Sequence, residues 1–480
     1  MNKPVLSRNY LSLFIELLAV TFVGLFLTLI YNDTIILDEL EHLRAAYFVS
    51  LGEVPYRDFF EHHHPLIWYM FAPIIALLPH SNLIALYTAK SLAFAFSVGS
   101  SIIIYLMVKR FMGGVFVAVA ALVLYFFYFA TWYSFSIFKP DTFMRFFYLC
   151  GLYNFLLYYD KQKLKNLVLS GTFFAIAFLF LQTAAFSIFP LCIPAGYLLY
   201  KQSHLWTDYA KALTVPLIII ATFYTLLYVS GTLPNYWQLN VTYNRYLFDI
   251  VHSFTPSVLP DFLILIIIAY ASMIYVYATH RQTTYFNIFA LLTVFETITH
   301  IYFPAVYPHY LVLLFLYCGI IIAFVLNFEQ NKWIFRIALV IIIINLILNL
   351  FSLAATNNKE SHLYLREYDK NPQADIVNFD VTLFSIFAPK YSYYWFYPNF
   401  EYIDNAIFHR MPDYNINQII REHKPLYIAY NPHIKQAFDF KKVGQKFDIA
   451  ECYPQHMLNT GILEDYEEIL INLYKRKALP

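Results

Sequence analysis

The chain has 480 residues, of which 60% are hydrophobic, 20% aromatic and 13% charged, with a formal net charge of +1. A soluble globular chain carries about 25% charged residues, so an ordinary soluble domain is excluded, and a near-zero net charge gives no footing for nucleic acid. Of the four cysteines, Cys150, Cys192 and Cys318 lie inside apolar runs and only Cys452 is in a polar region, so no disulfide framework is available.

Apolar runs of 18 or more residues recur and predict transmembrane helices. The first, Leu11–Ile30, follows a short basic N-terminus (Lys3, Arg8) and carries Glu16 near its end. It is longer than a signal-peptide core and lacks a small-x-small cleavage site, which predicts a retained span. A polar loop over 31–65 follows, packed with Asp, Glu, Arg and His. Pro65–Leu78 is apolar but too short to span, so it is expected to lie at the interface.

Further spans are expected at Leu83–Val108, Val115–Thr131 and a fourth from Asp141 to Asp160, then Leu167–Gln182, Ala185–Tyr200 and Leu213–Ser230. Phe262–Ala278, Phe286–His300, Tyr310–Leu326 and Ile334–Leu353 complete about 11 transmembrane helices. One set of connectors carries the clusters Lys109/Arg110, Lys161/Lys163/Lys165, Lys201/Lys211, Arg281 and Lys332/Arg336. The positive-inside rule places that set and the N-terminus in the cytoplasm. The first loop, the loop around Arg245 and the region after 353 then share the opposite face.

From Ala354 the composition turns polar, charged and aromatic, which predicts a small α+β extracytoplasmic domain over 354–480. Met411–His423 reads as a helix, Leu426–Tyr430 as a strand and Leu463–Tyr474 as a further helical stretch. No repeat of 20–50 residues is visible. The expected architecture is an all-α polytopic membrane domain over 1–353, followed by that α+β domain.

The ionisable residues of the first loop are weighed one by one. Asp38 and Glu39 stand where a helix would start; they are either dipole-complementing acids or a general base for an acceptor hydroxyl. Arg57 can grip a phosphate through paired donors, or pair with Asp58. Glu61, His62, His63 and His64 could supply ligands to a divalent metal, but adjacent histidines rarely converge on one ion and the spacing is not that of a zinc site, so the histidines are read first as hydrogen-bonding groups for sugar or phosphate. Lys139-Pro140-Asp141 caps the fourth span. Lys90 and Arg145 are conspicuous as intramembrane charges, and Glu296/His300 form an i, i+4 pair. His309-Tyr310 opens a late span. Asp38, Glu39, Arg57, the three histidines, Lys139, Asp141, Arg245, His300 and His309, scattered along the chain, are all expected at the outer boundary.

The same residues resemble those of the GT-C glycosyltransferases, in the branch of protein O-mannosyltransferases, lipid A aminoarabinose transferases and lipopolysaccharide-core transferases. The acidic pair appears as Asp38-Glu39. The G-x-x-x-Y-[RK]-D-[FY] segment appears as Gly52 to Phe59, and H-P-P-L as His63-His64-Pro65-Leu66. The R-P-D element appears as Lys139-Pro140-Asp141, and the late H-Y as His309-Tyr310. His64 stands for a proline and Lys139 for the commoner arginine. A Lys-Gln near the fifth span is replaced by Leu181-Gln182.

The resemblance implies a GT-C type membrane enzyme with a polyprenyl-phosphate-linked sugar as donor. The acceptor would be a glycan, lipid or protein of the cell envelope, and the setting a bacterial inner membrane. Asp38 and Glu39 would be catalytic, with Asp38 as base in an inverting displacement. Arg57, His62, His63, His64, Lys139, Asp141, Arg245, His309 and Tyr310 would bind donor phosphate or sugar, with no cofactor required. The principal alternative is a transporter or flippase of a lipid-linked sugar. Against it, charge gathers at one face and no two halves of the chain are alike.

Overall fold

A computed structural model describes residues 35–126, 131, 134–245, 263–302, 308–328, 359–378, 385–390, 416–429, 465–470 and 473–477. The expected first span (11–30) and last span (334–353) lie outside the described residues. The first described helix, α1 (Leu37–Ser50), starts with Asp38 and Glu39 in its first turn, where acids favour the helix dipole. The Ile36 N–H donates back to Glu39 Oε2 at 3.3 Å. The helix stops at a turn whose Gly52 takes φ +90°, open to glycine at no steric cost.

The short apolar stretch forms α2 (Leu66–Ile75), which packs against α1. Next comes α3 (Asn82–Val108), whose 27 residues make a rod of about 40 Å. α4 (Val115–Phe126), α5 (Pro140–Lys161) and α6 (Leu164–Phe180) follow. The expected span Ala185–Tyr200 is broken into α7 (Ala184–Ile188), a 3-10 turn (Phe189–Leu191) and α8 (Cys192–Lys201). Pro190 and Pro194 lack the N–H that a continuous helix needs there. α9 (Trp206–Val229) begins seven residues before the expected Leu213. The remaining helices of this region are α10 (Leu233–Trp237), α11 (Leu263–Ala278), α12 (Thr284–Tyr302) and α13 (Val312–Phe328).

Among the described residues, Asn82–Gly113, Ala184–Lys201 and Ser203–Val229 are long and apolar enough to cross a membrane, and five shorter apolar helices accompany them. One core runs through α1–α5 and α12–α13, rich in Phe, Tyr and Leu. α5 and α6 approach closely at Gly151, where an added Cβ would fall 2.6 Å from the Phe174 ring. Ser170 Oγ donates to the Gly151 carbonyl at 2.9 Å across the same contact. At the far ends of α3 and α5, Arg110 pairs with Asp160 at 3.0 Å, and Tyr285 of α12 donates to the same carboxylate. The basic connectors after α3 and α5 therefore meet at one end of the bundle. Asp38 and Lys139 meet at the opposite end of α5.

The later segments comprise α14 (Lys359–Asp369), β1 (Ile376–Asn378), α15 (Ile416–His423), β2 (Tyr427–Ala429), β3 (Tyr466–Leu470) and β4 (Leu473–Arg476). The strands form one sheet in the order β1-β2-β4-β3, parallel between β1 and β2 and antiparallel elsewhere. This corrects the helical expectation for Leu463–Tyr474, which holds the β3–β4 hairpin. Pairing of β4 with β2 buries Leu473, a tertiary gain that the local pattern does not reveal.

This region is latched onto the first loop and onto the start of α3. Asp369 accepts from Ser81 Oγ, Asn82 N, Asn82 Nδ2 and Leu83 N, at 2.8, 2.5, 2.9 and 3.4 Å. Arg44 Nη2 of α1 donates to the Ala388 and Pro389 carbonyls at 3.2 and 3.0 Å. Lys390 pairs with Glu53. Asp369 thus acts as a helix cap supplied from a distant segment. Asp369→Ala is expected to cost about 1–2 kcal/mol. The check is a lowered melting midpoint of the detergent-solubilised protein, together with faster proteolysis after residue 353.

Candidate active site

Two helix starts meet to form the site. Lys139 is the N-cap of α5, Pro140 fills the first helical position, and Asp141 lies in the first turn. Across from it, Asp38 stands in the first turn of α1, and its Oδ2 is 2.5 Å from Lys139 Nζ. Burial pushes the Asp38 carboxyl up, but Lys139 at contact distance outweighs it and holds the group below the usual carboxylate range. Lys139 is the mirror image. Burial pushes its ammonium down, and Asp38, then Tyr310 and Asp141, raise it above its ordinary value. About two fifths of the Asp38 side chain remains open to solvent, at 39% exposure, so one face of this pair is free to meet another molecule.

Glu39 faces the other way. It is 0% exposed, pairs with Lys90 Nζ of α3 at 2.9 Å and accepts from the Phe138 N–H at 3.0 Å. Both oxygens are engaged in holding α1 against α3 and against the residue before Lys139. The structure places Glu39, expected as a catalytic partner of Asp38, in a buried contact between helices. Lys90, conspicuous in the sequence as an intramembrane charge, is its partner.

The loop ahead of α2 is over-determined. Tyr56 is 1% exposed and takes φ +68°, a left-handed conformation that a bulky residue adopts only when its surroundings impose it. Its hydroxyl donates to the His63 carbonyl at 2.5 Å, and its carbonyl accepts from Asn235 Nδ2 at 2.9 Å. Asn244 Nδ2 donates to the His62 carbonyl at 2.7 Å. The segment after α9 thus clamps the histidine run from outside.

The three histidines separate in role. His64 is buried, bonds Tyr236 through Nε2 at 2.8 Å and stacks on Phe223. Burial pushes it down to about 4, which favours the neutral imidazole. His62 and His42 are held well below their ordinary value, by burial first and by His63 second. His63 is the charged one. Burial alone would push it down, but hydrogen bonds and charge from Glu41 and Glu61 raise it to about 10. Its Nδ1 is 3.3 Å from Glu61 and 3.5 Å from Glu41. Glu41 is in turn pushed up, by burial and then by Glu61. Neither Glu41 nor His42 was singled out on sequence. Both lie on the face of α1 turned towards the histidines, one turn on from Asp38.

Other expected contacts lie elsewhere. The Arg57 fork is closed on its neighbour, Nε to Asp58 Oδ1 and Nη2 to Oδ2, both at 2.8 Å, and half of the side chain is in solvent. The local pair is the form observed, so in this structure its donors are not directed at the Asp38–Lys139 pair. Arg245 is exposed. His309 lies in a 3-10 turn, Pro308–Leu311, and its side chain is outside the described residues. Tyr310 is exposed and within electrostatic reach of Lys139. Arg145, one turn below Asp141 on α5, is 5% exposed, and its Nη2 has no hydrogen-bond partner among the described residues. Glu296 and His300 are 3.7 Å apart, with Glu296 clamped by Ser187 Oγ at 2.5 Å, among α5, α7 and α12.

The family model for dolichyl-phosphate-mannose-protein mannosyltransferases matches residues 62–228, which takes in the histidine run and Lys139 but begins after Asp38. No curated protein sequence matches the chain significantly. Among solved structures, the fold is similar to ArnT from Cupriavidus metallidurans, crystallised with undecaprenyl phosphate. The TM-score is 0.52 and the identity 15%, over 76% of this chain and 69% of that one. In signature and in fold, the chain resembles the GT-C superfamily of membrane glycosyltransferases.

Proposed function

We propose that the protein transfers a sugar from a polyprenyl-phosphate donor to a hydroxyl of a cell-envelope acceptor, on the extracytoplasmic face of the membrane. The observation that carries this reading is the half-open Asp38–Lys139 pair at the helix starts. It puts a carboxylate able to take a proton beside a cation able to meet a phosphate. The family match and the ArnT-like fold support the donor class.

In the reaction, the acceptor oxygen attacks the anomeric carbon and gives its proton to Asp38. The bond from that carbon to the phosphate oxygen breaks, and its electron pair leaves with the lipid phosphate. A single displacement inverts the anomeric centre. A carboxylate tied to a lysine is a weak base. Donor phosphate competes for Lys139, and as that ammonium turns to the phosphate, Asp38 regains its affinity for a proton. The charge growing on the leaving phosphate is met by Lys139 and by Arg145, a buried cation one turn below Asp141 on α5. Glu39, through Lys90 and the Phe138 N–H, keeps the two helix starts in register.

Reconstituted protein is incubated with a polyprenyl-phosphate sugar extract and with envelope glycan from cells lacking the protein. Mass spectrometry is expected to show the glycan gaining one sugar residue. Movement of the lipid-linked sugar across the bilayer with no covalent product would instead establish a transporter. Arg145→Met is expected to raise the KM for donor by about tenfold or more, checked with the same transfer assay at varied donor. An unchanged KM would remove Arg145 from the phosphate path.

A further inference from the structure

A second cluster lies beside the Asp38–Lys139 pair, and the transfer steps proposed above draw on none of its side chains. Glu41 comes from α1; Glu61, His62 and His63 come from the loop ahead of α2. One donor atom from each lies within 4.8 Å of the others. Glu41, Glu61 and His62 are buried and His63 partly so. Neighbouring histidines on an extended chain point apart. Here the segment bends at His63, and the His62 and His63 rings lie 4.0 Å apart.

Two carboxylates this close and this deep cannot both stay ionised unless a proton or another positive charge stands between them. His63 contacts both, yet the match is incomplete. Glu61 is 1% exposed, and while its Oε2 accepts from the His62 N–H and from His63 Nδ1, its Oε1 has no hydrogen-bond partner among the described residues. A buried carboxylate oxygen left without a donor is costly, and a cation satisfies it.

We propose that Glu41, Glu61, His62 and His63 bind one divalent transition-metal ion. Two carboxylate oxygens and two imidazole nitrogens suit zinc or manganese. Magnesium and calcium, which take shells of oxygen, fit this donor set poorly. The ligands come from two elements, so the ion ties the histidine loop to α1 one helical turn from Asp38. It acts as a positioning ion, and its binding links metal affinity to stability. The proposal stands apart from the transfer reading, since metal uptake is measured without donor or acceptor.

The test uses full-length protein in detergent, purified through a tag without histidine and stripped by chelator. ZnCl2 and, separately, MnCl2 are titrated by calorimetry, with metal content measured after desalting. One salt or both should load to about one equivalent per chain and raise the melting midpoint. Glu41→Gln/Glu61→Gln should abolish uptake, and Glu61→Gln alone should weaken it by about tenfold or more. Wild-type protein that takes up neither metal stoichiometrically overturns the proposal. Full uptake by a folded double variant does so as well, and if that variant misfolds, Glu61→Gln carries the same comparison.

Discussion

Asp38→Asn is expected to lower the rate of sugar transfer by roughly 10²–10⁴-fold, the range that a positioned general base contributes. The loss should fall on kcat, with little change in protein yield or melting midpoint. Three features of the geometry set this expectation. Asp38 is the one member of the acidic pair with a face open to solvent, whereas Glu39 is closed in by Lys90 and the Phe138 N–H. The α1 helix does not need Asp38 for its start, because Glu39 makes the return bond to the Ile36 N–H. The amide of Asn keeps the shape and can still meet Lys139 through its oxygen, but it cannot accept a proton. Glu39→Gln offers the contrast. It leaves Lys90 facing a neutral group in a buried place and is expected to cost stability first and rate second. If Asp38→Asn turned over at the wild-type rate, the base would have to be sought elsewhere.

Much of the framework is legible in the chain because hydrophobicity and charge act over short distances. The starts of α3, α5, α11 and α12 can be read from apolar length and from polar breaks such as Lys139-Pro140-Asp141. The acidic start of α1 and the short apolar α2 are equally local. What sequence does not disclose is partner choice. Asp38 and Glu39 are adjacent and chemically alike, yet a helix turns neighbours about 100° apart, so one meets Lys139 and the other Lys90. The three histidines read as one group, and packing divides them. His64 goes to Tyr236 and Phe223, and His63 goes between Glu41 and Glu61. Glu41 and His42 look like surface residues of a short helix until the loop folds over them. Arg57 lies in a segment that resembles the GT-C pattern, but its nearest carboxylate is one residue away and captures it. The Asp369 cap and the Arg44–Ala388 contact join segments more than 280 residues apart in the chain, a distance over which no local pattern carries information. The β3–β4 hairpin is local, but the β2 strand that β4 pairs with comes from more than 40 residues earlier, which its own pattern does not disclose.

Lys139→Met is expected to produce a second large loss, with a pH signature that separates it from simple misfolding. In the wild type, Lys139 keeps the Asp38 carboxyl below its ordinary value of 3.8. A general base works only when deprotonated, so with Asp38 as the proposed base kcat/KM should show no acid limb from it above that value. With Met at 139 the lowering influence is gone. Burial, which raises the group, is then opposed chiefly by the weaker and more distant charge of His63. The carboxyl moves up, a larger fraction is protonated at any given acidic pH, and activity should fall as pH drops through a range where the wild type is flat. Loss of the cation also removes a contact to the leaving phosphate, so kcat at the pH optimum should drop by roughly 10²-fold or more. Lys139→Arg restores charge at the same N-cap and should recover most of the rate while keeping the flat acid profile. The measurement is initial transfer rate from about pH 4 to pH 9 for all three proteins. A Lys139→Met profile parallel to the wild type, merely lower, would mean that Lys139 supports the fold without controlling the proton on Asp38. The emergence of an acid limb, and its removal by Arg, would tie the two helix starts together as one device, in which the cation that receives the leaving group is also the one that restrains the base until donor arrives.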